Sequence, residues 1–202
     1  RKVGVLLIDL EAQYKLTILH AEQMFAHYAA HMEIYWVCLP IKLRNSVSNY
    51  EPVWCAWQPE READWVRPMP QHPGVIRDPA YFDFFQPWME FEEFIVLFGK
   101  WYARDAQAAG FIGIRCDESL NRFRTIAVCD KEMFAGKRYT TKVTEGVYNV
   151  YPIYDWTTED VWLAPQREGW DYNRAYDRME AAGVTRQEAR CSPPYGEQPI
   201  RR

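Results

Sequence analysis

The feature that most constrains this chain is an alternation at its start: a buried-strand pattern, a helical stripe, then a second buried-strand pattern. Val3–Ile8 is an apolar run that ends in Asp9, as expected of a strand covered on both faces of a parallel sheet. Between 11 and 30, Tyr14, Ile18, Ala21, Phe25 and Tyr28 recur at steps of four and three, which is one apolar stripe on a helix. Ile34–Leu39 repeats the strand pattern and stops at Pro40. Strand, helix and strand with short links form a βαβ unit, and the rest of the chain must be built onto it.

From 42 to 87 the periodicity lapses. Seven prolines (52, 59, 68, 70, 73, 79, 87) alternate with Trp54, Trp57 and Trp65. A solvated linker would not carry three tryptophans, so this segment is expected to be an ordered aromatic and proline-rich insertion. Helical spacing returns from Trp88 to Gln107 and is expected to stop at Gly110. A third strand is expected at Phe111–Arg115, a short one at Thr125–Cys129, and a polar excursion at Lys131–Gly146. Val147–Tyr154 reads as extended. Thr157 and Asp160 form a capping box for the next helix, and Asp171–Ala182 reads as the last helix, closed by Gly183. The expected architecture is a Rossmann-like α/β domain of three layers with a mainly parallel sheet, spanning 1–190, with the insertion at about 42–87 and a Pro-rich tail at 191–202.

Composition narrows the function. Lys and Arg number 24 against 28 Asp and Glu, a net charge of −4, so no global basic field recruits nucleic acid or an anionic membrane. Any anion site must be local. Apolar stretches such as Val5–Ile8 and Phe94–Phe98 fall far short of the roughly 20 residues of a membrane helix. Arg1-Lys2 runs directly into the first strand, so no secretory leader is expected there. Five Cys (38, 55, 116, 129, 191) are scattered without a C-x-x-C pair, which points to a reducing, cytoplasmic compartment and away from structural zinc. The four His sit beside no second ligand type at a metal spacing, and no metal site is expected on them.

Ligands of open α/β sheets bind beyond the carboxyl ends of the strands. That rule ranks Asp9 after the first strand, Arg44 shortly after the second, and the stretch Arg115, Asp117, Glu118 after the third. Asp9 there could accept from a ribose or a base amine, or cap a helix. Arg115, Arg122 and Arg124 gather three guanidinium groups within ten residues of an acidic chain. Guanidinium forks match phosphate or sulfate oxygens, and Asp117 and Glu118 could orient them or hold a Mg2+ that bridges phosphates. The competing reading is a surface salt-bridge cluster of small energetic weight. Asp155 and Trp156 open a capped helix where Trp156 and Trp162 could equally be packing anchors. Cys116 beside Arg115 is the best-placed thiol, although small buried cysteines are the commoner case. The catalytic residues are unknown.

Gly113–Arg124 and Tyr151–Trp162 together resemble the phosphoadenosine-phosphosulfate reductase family of adenine nucleotide α-hydrolase-like proteins. Leu7–Tyr14, Pro68-Met69-Pro70, Met89–Phe94 and Gly169–Arg174 are similar to its bacterial and phage subgroup called immunoglobulin-binding-regulator A-like. The resemblance covers nearly the whole chain. It implies a sheet that holds an adenine nucleotide, ATP or phosphoadenosine phosphosulfate. In that picture Asp9 lies near the ribose or adenine, Arg115 and Arg122 near phosphates or sulfate, and Asp155-Trp156 borders the pocket. Two family segments do not occur in the sequence: the phosphate loop Ser-Gly-Gly-Lys-Asp-Ser and the Glu-Cys-Gly-x-His tail of true reductases. By the resemblance the chain starts just before the family's second strand.

Two functions follow as expectations. One is the adenine-nucleotide-binding domain of a reductase-like or sulfurtransferase-like protein, an enzyme of ATP-pyrophosphatase type if a preceding segment supplies the loop. The other is a non-catalytic regulatory or assembly module for a ParB-like partner protein, which the aromatic insertion favours. Transfer of sulfur or an adenylyl group to nucleic acid, and a homo-oligomer, are open possibilities.

Overall fold

The computed structural model describes residues 2–45, 50–127 and 130–191. The chain divides into two compact units, Arg1–Phe91 with Asn173–Arg202, and Glu92–Tyr172.

The first unit is organised on a parallel sheet. Strand β1 (Val3–Ile8) leads into helix α1 (Lys15–His27) and returns as β2 (Met32–Val37), paired in parallel from Val3 opposite Met32 to Ile8 opposite Val37. The expected βαβ unit is present. The helical stripe is narrower than its sequence pattern: Ile18, Ala21 and Phe25 pack on the core, whereas Tyr14 and Tyr28 at the helix ends are exposed. Phe25 meets Trp36 of β2 edge to face at 5.5 Å. Trp36 is fully buried, and burial of a large apolar side chain contributes roughly 1.5–3 kcal/mol.

The segment expected as an insertion carries three strands. β3 (Lys42–Arg44) and β4 (Val53–Cys55) form an antiparallel pair, and β5 (Val75–Ile76) adds to β2 in parallel, giving the sheet order β1-β2-β5. β5 can reach β2 because Gly74 leaves room: a Cβ there would stand 2.8 Å from the Ile34 Cγ2. Trp54 and Trp57 are buried and Trp65 packs against the same cluster, which accounts for three tryptophans in a segment without periodicity. Helix α2 (Phe91–Ala103) begins at the unit boundary.

In the second unit Phe94 and Phe98 of α2 are buried, and Gly99 brings the helix against Val147, where a Cβ would stand 3.0 Å from a valine methyl. The unit's sheet joins β6 (Ala108–Phe111), β7 (Thr140–Thr144) and β8 (Val147–Val150) in the order β6-β8-β7, with β6 parallel and β7 antiparallel to β8. The strand therefore starts at Ala108, earlier than expected, and Gly110 lies inside it rather than ending a helix. Its extended path continues to Arg115, and the N–H groups of Ile112 and of Cys116 just beyond donate to the Val150 and Tyr154 carbonyls at 2.9 Å.

Helix α3 (Leu120–Ala127) replaces the short strand expected at Thr125–Cys129, of which 128 and 129 lie outside the described residues. Ser119 starts it: its Oγ accepts from the Arg122 N–H at 3.2 Å. β7 arises within the expected polar excursion, and Gly146, at φ 72°, makes the turn into β8 that a side-chain-bearing residue would resist.

Helix α4 (Thr158–Glu168) starts with the anticipated capping box between Thr157 and Asp160 and ends at left-handed Gly169. Helix α5 (Ala175–Ala181) belongs to the first unit, where Asn173 donates to the Thr17 Oγ of α1 at 2.9 Å. Residues 192–202, most of the expected tail, lie outside the described residues. Among the described residues no helix is long and apolar enough to cross a membrane. The result is a mixed α/β chain with a parallel sheet of Rossmann-like type.

Candidate functional site

The carboxyl end of β1 carries a dense polar constellation. Asp9 is 1% exposed and caps no helix, since α1 begins at Lys15. Its Oδ2 accepts from the Trp36 Nε1–H at 2.8 Å and its Oδ1 from the Glu11 N–H at 3.0 Å. The Arg67 Nη2 reaches both carboxylate oxygens. A charge removed from water this far must be paired and hydrogen-bonded, and Asp9 is both.

Glu11, two residues on, is 3% exposed and sits in the left-handed region at φ 64°. One carboxylate oxygen accepts from the Trp57 N–H and the other from the Val66 N–H, both at 2.8 Å, while its carbonyl accepts from the Arg67 Nε–H at 2.9 Å. Trp57 is itself left-handed at φ 50°, and its indole N–H donates to the Asp9 carbonyl at 2.6 Å. Such backbone outliers cost of order 1–3 kcal/mol and persist only where surroundings hold them. Here each holds the other. Burial pushes the Glu11 carboxyl above its ordinary range, against the lowering effect of the two N–H donors. The Arg67 guanidinium lies over the Trp57 ring, 5.0 Å from its centroid, a cation–π contact.

Above this network lies a cleft of about 690 Å³. It opens where the chain leaves β2, at Cys38 and Pro40, and where it leaves β5, at Arg77 and Pro79. That is the place at which open α/β sheets take ligands, and the volume suits a drug-sized molecule. The opposite wall is the segment from Trp57 to Gln71, including Glu62, Trp65, Arg67 and Met69. Burial raises the Cys38 thiol far above its usual range and the Cys55 thiol to about 12, so neither is a ready thiolate.

In the second unit the residues after β6 form a different arrangement. Arg115 is 7% exposed; its Nη1 donates to the Trp156 carbonyl at 3.2 Å and stands 3.5 Å from the Asp117 carboxylate. Glu118 lies between two guanidinium groups, 3.6 Å from Arg115 and 3.8 Å from Arg122. The Asp117 Oδ2 accepts from the Thr158 N–H at 2.8 Å and from the Thr158 hydroxyl at 2.9 Å, which holds its carboxyl below the usual range. Asp117 thus supplements the cap of α4. These two carboxylates are spent on the cap and on Arg115 and Arg122, a donor set that does not fit a bridging Mg2+. Among the described residues no cluster of three or more His, Cys, Asp or Glu is gathered as a metal site.

The structure therefore brings Arg115, Asp117, Glu118, Arg122 and Trp156 together. Arg124 and Asp155 are exposed in the same unit. Asp9 belongs to the first unit, as does Arg44, which is exposed at the end of β3. Glu11, Trp36, Trp57, Arg67 and Arg77 escaped sequence reasoning. The one local signal for them is that Arg67 directly precedes the segment Pro68-Met69-Pro70.

The chain is 40% identical over 199 residues, 97% of its length, to the uncharacterized protein YbdN of Escherichia coli (strain K12), and the match takes in 48% of that protein. The chain thus spans about half the length of the curated relative it matches. The model of the phosphoadenosine phosphosulfate reductase domain, a family that binds adenine nucleotides, matches residues 2–179. That span takes in β1 through the first residues of α5, with both arginine constellations and the cleft, and the chain belongs to the phosphoadenosine phosphosulfate reductase domain family.

Proposed function

We propose that the chain is the adenine-nucleotide-binding domain of a phosphoadenosine-phosphosulfate reductase-like or sulfurtransferase-like protein, taking ATP or phosphoadenosine phosphosulfate. The observation that carries this reading is the cleft of about 690 Å³ beyond the carboxyl ends of β2 and β5 in a chain of this family. Asp9 and Glu11 set the backbone of the cleft wall rather than contacting the ligand, because their oxygens are occupied by Trp36, Trp57, Val66 and Arg67. The second unit carries guanidinium groups of its own that are open to phosphate or sulfate, Arg122 and Arg124, exposed on α3, with Arg115 braced against Glu118 and the Trp156 carbonyl. Positive charge placed there stabilises charge that builds on a transferred or leaving anionic group.

Calorimetric titration with ATP and with phosphoadenosine phosphosulfate tests the reading. Saturable heat from either nucleotide supports it. Absence of heat from both, with the chain folded, overturns it and favours the regulatory module that binds a ParB-like partner protein.

A further inference from the structure

Not every arginine of the first-unit cleft is free to meet a ligand. The three guanidinium nitrogens of Arg67 are all engaged: Nε with the Glu11 carbonyl, Nη1 with the Pro68 carbonyl at 3.4 Å, Nη2 with the Asp9 carboxylate. Its charge is balanced by a carboxylate that is itself buried, and its donors point into the protein. Arg77 is the opposite case. It follows β5 directly, is exposed, lines the cleft, and among the described residues no hydrogen bond or ion pair engages its guanidinium. A guanidinium held at a strand exit without a carboxylate partner is matched to an anion's paired oxygens.

The apolar part of the cleft is equally built. Four prolines contribute to its lining, and each fixes its own φ. Trp65 is half-buried; its indole N–H donates to the Gln58 carbonyl at 3.0 Å and its ring meets Trp57 edge to face at 5.1 Å and 87°. The ring is thus oriented before any ligand arrives, and an oriented indole in a cleft is a platform for a flat heteroaromatic ring. Glu62 is the one carboxylate among the lining residues, an acceptor suited to a ring amine.

We infer that this cleft binds a planar, amine-bearing purine joined to an anionic group, with Trp65 as the ring platform and Arg77, not Arg67, as the anion contact. The inference rests on the nucleotide reading above and deepens it by assigning contacts to residues that neither the family match nor the relative assigns. It also divides the two arginines by role. Arg77 touches the ligand, whereas Arg67 is a positioning residue that fixes the Trp57 wall.

The test is calorimetry on the full chain with adenosine, AMP, ATP, phosphoadenosine phosphosulfate and inorganic sulfate, comparing wild type with Arg77→Gln and Trp65→Ala. Arg77 is exposed, so Arg77→Gln is expected to fold as wild type does, and its thermal midpoint checks this. The expected results are AMP binding at least tenfold tighter than adenosine in wild type, and loss of that preference in Arg77→Gln with adenosine affinity unchanged. Trp65→Ala is expected to weaken adenosine and AMP alike, about tenfold or more. Nucleotide binding that neither variant alters overturns the assignment and leaves the nucleotide reading intact. Wild-type chain that binds none of the nucleotides overturns both. Sulfate binding that equals AMP binding and survives Trp65→Ala overturns the purine platform.

Discussion

Both units set arginine against carboxylates that follow a strand, yet the two arrangements are built oppositely. In the first, the Asp9 side chain is fully enclosed and Arg67 is 17% exposed, and the partners come from Trp36, Trp57 and Val66 at distant points of the chain. In the second, Arg115 is buried but its partners Asp117 and Glu118 are 49% and 27% exposed and adjacent in sequence. Burial converts the same chemistry into different quantities. An enclosed charge left without its partner retains the full desolvation cost, whereas an exposed one is rehydrated and screened. The first arrangement is a structural keystone beneath a cleft; the second presents its outer guanidinium groups to solvent.

The largest expected effect therefore belongs to Arg67. Arg67→Ala strands the buried Asp9 carboxylate and removes the cation–π contact to Trp57, and is expected to cost about 3–5 kcal/mol in denaturant unfolding. A pair of substitutions sharpens the comparison. Asp9→Asn with Arg67→Met together should recover part of the loss, because removing both charges removes the unpaired one. An Arg67→Ala variant within 1 kcal/mol of wild type would break the contrast with the second unit.

Arg115→Ala comes next. It deprives the Trp156 carbonyl of a donor and Glu118 of one guanidinium, and a hydrogen bond from a charged group is worth about 1.5–3 kcal/mol. The loss should fall short of that at Arg67, since its carboxylates can turn to water. Equal losses at the two sites, measured side by side in urea, would show that the exposure difference does not govern the energetics.

The pH dependence of the two units has opposite sign. Glu11 is raised from its ordinary value of 4.5 by burial, so the folded state holds its proton more tightly than the unfolded chain does. Its contribution is complete below pH 4.5 and is lost as pH rises through the raised folded value. Asp117 and Asp160 are lowered from 3.8 by hydrogen bonds from Thr158 and Thr157, so their contribution is present above pH 3.8 and is lost as pH falls through the lowered folded values. Glu11→Gln, which mimics the protonated carboxyl, should flatten the decline above pH 4.5 and leave the acid limb unchanged. Thermal midpoints across this range decide the point; an unchanged slope in Glu11→Gln would remove Glu11 as its source.

The same contrast explains what could be read before folding. β1, α1, β2 and the α4 cap announce themselves because each is specified by neighbours in sequence: an apolar run, a stripe, a Thr157–Asp160 pair. β5 is only Val75-Ile76, and nothing local marks two residues as a strand; β2 and the space at Gly74 make it one. β6 begins on Ala108-Ala109-Gly110, which lacks the β-branched residues that signal strands, so the strand signal in the sequence starts only at Phe111. Likewise the second-unit cluster was legible as Arg115 through Arg124 because its members are adjacent. Asp9 was legible from its strand end. Arg67, 58 residues away, was not, since no spacing rule links positions brought together only by the tertiary fold.

The smallest stability effect is expected at Arg122, and it separates support from recognition. Its Nε stands 3.8 Å from Glu118, with the two side chains 54% and 27% exposed, a pair whose contribution is within about 0–1 kcal/mol. Arg122→Ala should leave the urea midpoint nearly unchanged while weakening the binding of inorganic sulfate, with adenosine unaffected. Raising the salt concentration should shrink that difference, because exposed charges are screened within about 8–10 Å at physiological ionic strength. A variant that loses stability without losing sulfate affinity would place Arg122 with Arg115 among the bracing residues.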